Sequence, residues 1–415
     1  MAPRVREFLL PAAAGAAGAL FLAWLGLKTM AFTDYEHEAE PALQALRDGD
    51  VGRFLDLLPA YGGSLVLRSP FAVLPDLWNG GDWALFRSMA APCLAAGVFL
   101  GVFLWSRAER LGLGRKAAWA ALLLCAVNPL TLRALEIGHP EELLGGALCV
   151  GAALAAAARR PSLAGALLGL AVANKPWAVL AVIPVALIAP EGRWRLLGLA
   201  GLVAAVVLAP LALAGSTVVE RTGEVARDAG EIFQPWQVWW FLGDHGQVVM
   251  GTYAEKPGYR AAPGWIGEVA RPVVVLVPVL LSLALARALR ARPWHDGLLL
   301  LALVLLLRCV LDPWNVVYYE LPFLLALTAW EVHARRGLPA ISLAVTLLCW
   351  VTLEQLPQQI SPDAQALAFL AWSVPFALGL ALRLAAPERF ERLLRAIRIP
   401  AAGPPPAASP GAPRG

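Results

Sequence analysis

The chain has 415 residues, 59% hydrophobic and only 15% charged, with a mean hydropathy of +0.63. Soluble domains carry about 25% charged residues, so this composition excludes a soluble globular enzyme and describes an integral membrane protein. The net charge of +4 is small, and its distribution between loops carries the information.

A first apolar segment runs from Phe8 to Met30, behind Arg4 and Arg6. About 20 apolar residues cross a bilayer. The segment exceeds a signal-peptide core and no convincing cleavage site follows it, so it reads as a retained signal-anchor. Next comes an acidic run, Asp34-Tyr35-Glu36-His37-Glu38-Ala39-Glu40. Carboxylates at the mouth of a membrane helix are costly to dehydrate, so they are either solvated loop or chemistry.

Eleven further apolar segments follow near 84–106, 117–133, 143–158, 162–174, 176–190, 196–214, 268–286, 297–311, 317–332, 339–353 and 364–385. The pair 162–174 and 176–190 is short and meets at Asn174-Lys175-Pro176. It is either a hairpin or one broken re-entrant unit. The polar stretches 31–83 and 215–267 are too short and interrupted to bury a core of their own. The chain reads as one all-α domain over 1–399: a polytopic transmembrane helix bundle of about twelve membrane segments. A Pro/Ala-rich tail over 400–415 is expected to be disordered. Before it, Pro387 to Ile399 reads as a basic amphipathic helix lying on the inner leaflet or as a solvated stub.

The connecting segments alternate in charge. One set is basic: Arg107, Arg110, Arg115 and Lys116; Arg159 and Arg160; Arg193 and Arg195; Arg287, Arg290 and Arg292; Arg335 and Arg336. The other set is mostly acidic: 31–83, 134–142, 215–267, 312–316 and 354–363. The positive-inside rule puts the basic set and both termini in the cytoplasm of a cell membrane, and the acidic set outside.

Polar chemistry collects on the acidic side. Asp34, Glu36 and His37 follow the first segment. Glu136, His139, Glu141 and Glu142 join the third and fourth. Arg68-Ser69-Pro70-Phe71 precedes the second, and Asp244-His245 lies in the long outer loop. Asp312, Asn315, Tyr318, Tyr319 and Glu320 join the ninth and tenth. Lys175 is pointed, because the chain has 30 arginines and four lysines and this lysine sits against the charge rule. A bundle would gather these helix ends around one outward cavity. Each also has a plain structural reading as a solvated, capping or turn residue.

The run Ile232–Leu242 holds three tryptophans, which suits an interfacial anchor or the wall of a lipid groove. Cys93, Cys125, Cys149, Cys309 and Cys349 lie in apolar segments at no metal-ligand spacing and read as small buried hydrophobes. No nucleotide-binding, metalloprotease, serine-hydrolase or nucleic-acid motif is present.

Four features resemble membrane glycosyltransferases of the C-type superfold, nearest the mannosyltransferase-like glycosyltransferase family 87. They are Asp34-Tyr35-Glu36 followed by Arg47-Asp48-Gly49-Asp50; Arg68-Ser69-Pro70-Phe71; the run Arg160-Pro161-Ser162-Leu163-Ala164-Gly165 through Leu170, ending at Asn174-Lys175-Pro176; and Asp312-Pro313-Trp314-Asn315 with Tyr318-Tyr319. The third is the most specific. The chain departs from many relatives at Gly138-His139-Pro140-Glu141-Glu142 and lacks their Tyr-Pro-Pro.

The resemblance implies a C-type bundle with short amphipathic helices in the first outer loop. It implies transfer of mannose or another hexose or pentose from a polyprenyl-phosphate donor to a glycolipid, lipid-linked or envelope glycan acceptor, outside the cell. Such a reaction needs a carboxylate base and groups that hold the departing phosphate. Asp34 is the expected base. Glu36, His37, Arg68, His139, Glu142, Lys175, Asp312, Asn315 and Tyr319 are the expected substrate-binding residues. No cofactor and no obligatory metal are expected. A secondary transporter or flippase, and a non-catalytic scaffold of envelope assembly, remain the rival readings.

Overall fold

A computed structural model of the chain describes residues 3–29, 34–59, 62–78, 80–213, 232–244, 260–335 and 337–397. His245, most of the loop 215–267 and the tail 400–415 lie outside the described residues. The described part is helical apart from a two-residue ribbon, in which β1 (Ile232–Phe233) pairs antiparallel with β2 (Arg260–Ala261).

The first helix, α1 (Pro3–Thr29), is followed by the short helices α2 (Glu40–Arg47), α3 (Val51–Asp56) and α4 (Gly62–Arg68). Short helices are thus present between the first and second apolar segments, where they were expected. Then come α5 (Asp82–Arg110), α6 (Arg115–Ala126), α7 (Pro129–Ile137), α8 (Glu141–Ala157), α9 (Pro161–Asn174), α10 (Val182–Ile188) and α11 (Arg193–Leu213). After the ribbon come α12 (Gly264–Leu289), α13 (His295–Leu311), α14 (Leu321–Ala334), α15 (Ala340–Trp350), α16 (Pro362–Ala385) and α17 (Pro387–Ile397).

All twelve predicted apolar segments coincide with helix. Among the described residues, seven spans are long and apolar enough to cross a bilayer: Phe8–Gly26, Trp83–Arg110, Arg115–Ile137, Arg193–Ala212, Gly264–Leu289, Ala340–Gln358 and Pro362–Ala385. The segment 117–133 is α6 and α7 with a break between them. Pro129 has no N–H to continue a helix, and the Asn128 side chain accepts from Leu130 N–H at 2.9 Å to start a new one. The segment 176–190 opens as a 3-10 turn before α10.

The shorter segments form the centre. Every residue of α13 from Gly297 to Leu306 is buried, as is every residue of α14 from Leu321 to Val332. A helix apolar all round is surrounded by other helices. The long spans wrap this centre: only 17% of the α11 window and 28% of the α12 and α16 windows are buried, which leaves them facing lipid.

Between lipid-facing helices the hydrophobic effect supplies little, and close backbone packing takes its place. The contact of α9 with α11 uses it. Gly165 and Gly169 stand one turn apart, and a Cβ on either would lie 2.5 Å from a carbonyl oxygen of α11, Leu196 or Ala200. The contact holds α9 and therefore the Asn174-Lys175 turn at its end. Gly169→Val is expected to lower the stability of the solubilised protein by about 1–3 kcal/mol, the usual cost of overpacking. Gly198→Val, which meets no atom within 4 Å, is the control. Thermal melting of both variants in detergent checks this.

Candidate active site

The site is built at the junction of α7 and α8. Gly138 closes α7 in the left-handed conformation, φ +100°, which an L side chain rarely adopts. It also lets Tyr35 approach, since a Cβ there would lie 2.9 Å from Tyr35 Cβ. His139 follows, and Glu141 and Glu142 occupy the first turn of α8, where the helix dipole favours negative charge.

Both carboxylates are buried, Glu141 at 0% and Glu142 at 1% exposure, so they need cations. Those cations come from the C-terminal ends of three other helices, where positive charge is favoured. Arg68 lies in the last turn of α4, Lys175 follows α9 and Arg308 lies in the last turn of α13. Pro176 forces Lys175 into extended backbone (φ −148°, ψ 133°), which ends α9 at that point. Lys175 Nζ lies 2.9 Å from Glu141 Oε1 and 3.8 Å from Glu142 Oε1. Arg68 Nη2 reaches Glu141 Oε2 at 3.3 Å. Arg308 binds Glu142 through both terminal nitrogens, at 3.2 and 3.3 Å. Its guanidinium also lies 4.1 Å from the Tyr319 ring centre and 4.7 Å from that of Trp177. Trp177 Nε1 donates to Glu142 at 3.1 Å, Asn174 Nδ2 to the Glu141 carbonyl at 2.9 Å, and Ser64 Oγ to Asn174 Oδ1 at 2.9 Å.

Asp34 opens a π-helical turn, Tyr35–Ala39, a form common at functional sites. Its Oδ2 is 3.2 Å from His139 Nε2, while His139 Nδ1 is 2.8 Å from Glu141 Oε1. The imidazole lies against the Tyr318 ring at 5.0 Å. Burial alone would make His139 a weaker base. The Glu141 charge and the bonds to Asp34 and Glu141 outweigh it and raise the pKa to about 9. At neutral pH an imidazolium therefore donates to a carboxylate on each side. Burial acts on Glu141 in the opposite direction, yet Lys175, His139 and Arg68 hold its carboxyl well below the usual carboxylate range.

Of the expected site residues, Asp34, Arg68, His139, Glu142 and Lys175 form one connected cluster, and Tyr319 flanks it through Arg308. Asp312 is buried, accepts from Trp314 N–H at 3.0 Å and pairs with Arg271 at 3.4 Å. Asn315 donates to the Trp236 carbonyl at 2.9 Å. Glu36 and His37 are exposed on the π turn and, among the described residues, form no hydrogen bond or ion pair with the cluster. The tryptophan run is pinned to protein rather than left at the lipid headgroups. Trp239 Nε1 donates to the Leu311 carbonyl at 2.7 Å, and Trp240, 1% exposed, donates to Asp363 at 2.9 Å. The five cysteines are free and buried. Among the described residues no three His, Cys, Asp or Glu side chains are arranged to hold a metal ion.

Comparison with known families matches residues 63–313, more than half of the chain, to glycosyltransferase family 87. The chain belongs to glycosyltransferase family 87. It is thus a membrane-embedded glycosyltransferase of the C-type fold. No curated protein and no solved structure matches it. The matched region holds Arg68, the α7–α8 junction, Lys175, Arg308 and Asp312, while Asp34 lies before it.

Sequence reasoning passed over Arg308, Glu141, Trp177 and Arg271 as site residues. Arg308 had a signal: it is a lone arginine inside the apolar run 297–311, a position that demands a partner. Arg271, near the start of α12, had no comparable mark.

The His139 pKa has a consequence with a definite sign. It is raised from 6.5 to about 9 on folding, so its stabilising effect is complete below about pH 6.5 and is lost as pH rises through about 9. Thermal stability should therefore fall across that upper range, and His139→Gln should flatten the fall. Melting curves of both proteins over a pH series check this.

Proposed function

We propose that this family 87 member moves a sugar from a polyprenyl-phosphate donor to a lipid-linked or cell-envelope glycan acceptor on the outer face of the membrane, with Asp34 as general base. The observation that carries this reading is the difference in exposure within the cluster. The Asp34 side chain is 19% exposed, while those of Glu141 and Glu142 are at 0% and 1%. A general base must come within hydrogen-bond reach of the hydroxyl it deprotonates, and Asp34 sits at the rim where an acceptor arrives.

In the step proposed, the acceptor hydroxyl oxygen attacks the anomeric carbon and its proton passes to the Asp34 carboxylate. The bond from that carbon to the donor phosphate breaks, and the phosphate oxygen leaves with the electron pair. One base is enough for such an inverting displacement. His139 holds the Asp34 carboxylate in place through Oδ2. The cluster carries Arg68, Lys175, Arg308 and protonated His139 against Asp34, Glu141 and Glu142. That is four positive charges against three negative, an excess of one. A positive field in a water-poor site favours charge developing on a departing phosphate. Lys175, which reaches both glutamates, is the cation assigned to it.

The charge alternation of the loops supports an outward-facing site with both termini inside. A cysteine at Glu36, which is exposed, should then react with an impermeant thiol reagent added outside cells. One at Arg110, also exposed, should not. The reverse labelling pattern would contradict the orientation.

Asp34→Asn should keep membrane abundance and lose sugar transfer by about a hundredfold or more, the usual worth of a positioned base. Transfer by purified protein from a polyprenyl-phosphate sugar measures it. Transfer undiminished in Asp34→Asn overturns the assignment. Movement of the donor lipid across vesicles without transfer would favour a flippase.

A further inference from the structure

The end of the bundle opposite Asp34 carries a second feature, with no part in the chemistry above. An apolar groove of about 420 Å³ runs between α5, α8 and α9, lined among others by Phe99, Phe103, Leu148, Gly151, Leu163 and Leu167. Phe99 is 76% exposed and Phe103 and Leu163 are 45% exposed, so the groove opens outward from the bundle. On α8 it extends from Ala147 to Ala158, about 16 Å at the helical rise of 1.5 Å per residue. That is close to half of a hydrocarbon core of about 30 Å, the depth of one leaflet.

The groove does not end in apolar surface. Through Phe103, Leu154 and Ala158 it joins a chamber of about 310 Å³ lined by Arg107, Arg110, Trp294 and His333. Arg160 stands in the groove lining at the same end. Neither lining contains a carboxylate. Among the described residues Arg107, Arg110 and Arg160 form no salt bridge, and Arg110 Nε donates only to its own helix, to Ser106 O at 3.2 Å. His333 donates Nδ1–H to Ala329 O at 2.8 Å.

The turn that delivers Arg160 is strained. Arg159 adopts φ +57°, the left-handed conformation that glycine takes at little cost. Its N–H reaches Ala156 O at 3.1 Å, and Arg160 N–H reaches Ala155 O at 3.0 Å, which closes α8 in a Schellman motif. An arginine thus stands where glycine would be the easier residue.

We infer that this groove and chamber form a binding site for an anionic glycerophospholipid of the cytoplasmic leaflet. One acyl chain lies along α8, and the headgroup phosphate is held by Arg107, Arg110 and Arg160. Three guanidinium groups without carboxylate partners match an anionic phosphate, and each basic residue near an anionic lipid surface strengthens binding by about fivefold. Trp294 lines the chamber beside Arg107 and Arg110, and tryptophan favours the headgroup level of a bilayer.

The test is photo-crosslinking of the full-length purified protein in vesicles that contain a diazirine-bearing phosphatidylglycerol, with the adducts mapped by mass spectrometry. Adducts should map to α5, α8 and α9. Unlabelled phosphatidylglycerol should compete them away, and phosphatidylcholine should not. The triple variant Arg107→Gln, Arg110→Gln, Arg160→Gln should lose at least about tenfold in capture. Gly151→Phe keeps all three arginines and fills the groove, and it should lose capture too. It covers the case in which the triple variant does not fold. Equal capture of a phosphatidylcholine probe, adducts spread over all lipid-facing helices, or displacement by polyprenyl phosphate as effective as by phosphatidylglycerol would each overturn the inference.

Discussion

Two adjacent buried glutamates at the head of α8 constrain the rest of this molecule. Neither Glu141 nor Glu142 can stay ionised in a low-dielectric interior without partners, and removing one partner from such a pair costs about 3–5 kcal/mol. The partners come from distant parts of the chain, with Arg68 73 residues before Glu141 and Arg308 166 residues after Glu142. Lys175 bridges the two carboxylates. Satisfying this one pair therefore fixes the relative placement of α4, α8, the end of α9 and the end of α13. The ion network adds this polar constraint to the apolar packing of the helices, such as the close approach of Gly165 and Gly169 to α11.

The same network carries the order outward to Asp34, the most exposed carboxylate of the cluster. Glu141 holds His139, His139 holds Asp34, and Gly138 lets the Asp34–Tyr35 turn come close enough for the contact. Three of the seven ionisable groups in the cluster are cations on helix C-termini and two are carboxylates on a helix N-terminus, so the helix dipoles reinforce the arrangement. Charge is sealed at the base and reachable at Asp34.

Much of this was legible in the sequence, for identifiable reasons. Apolar runs mark helices reliably, and all twelve became helix. Length alone did not reveal that the short ones, α13 and α14, form the centre while long ones such as α11 face lipid. Lys175 and His139 stood out because an ionisable residue beside apolar segments needs a reason, and both joined the cluster. Asp34 was expected as the base, with Glu36 and His37 as substrate-binding neighbours in the same acidic run. The π turn puts Tyr35 and Ala39 inward and leaves Glu36 and His37 exposed, a winding no composition rule signals. Glu141 was passed over beside Glu142 because the sequence cannot say which of two neighbours faces which cation. The close approach of α9 to α11 was present in the run Gly165–Gly169 but became meaningful only with the carbonyls of α11 opposite it.

The central claim is that a donor phosphate and its sugar meet this chain at the rim of the buried ion cluster. A density map of the protein with a non-hydrolysable polyprenyl-phosphate sugar bound tests it most directly. The account predicts the anomeric carbon beside the Asp34 carboxylate and the phosphate on the Lys175 side of His139. A donor bound with its phosphate at the arginine-rich opposite end, or with Asp34 out of reach of the sugar, would contradict it.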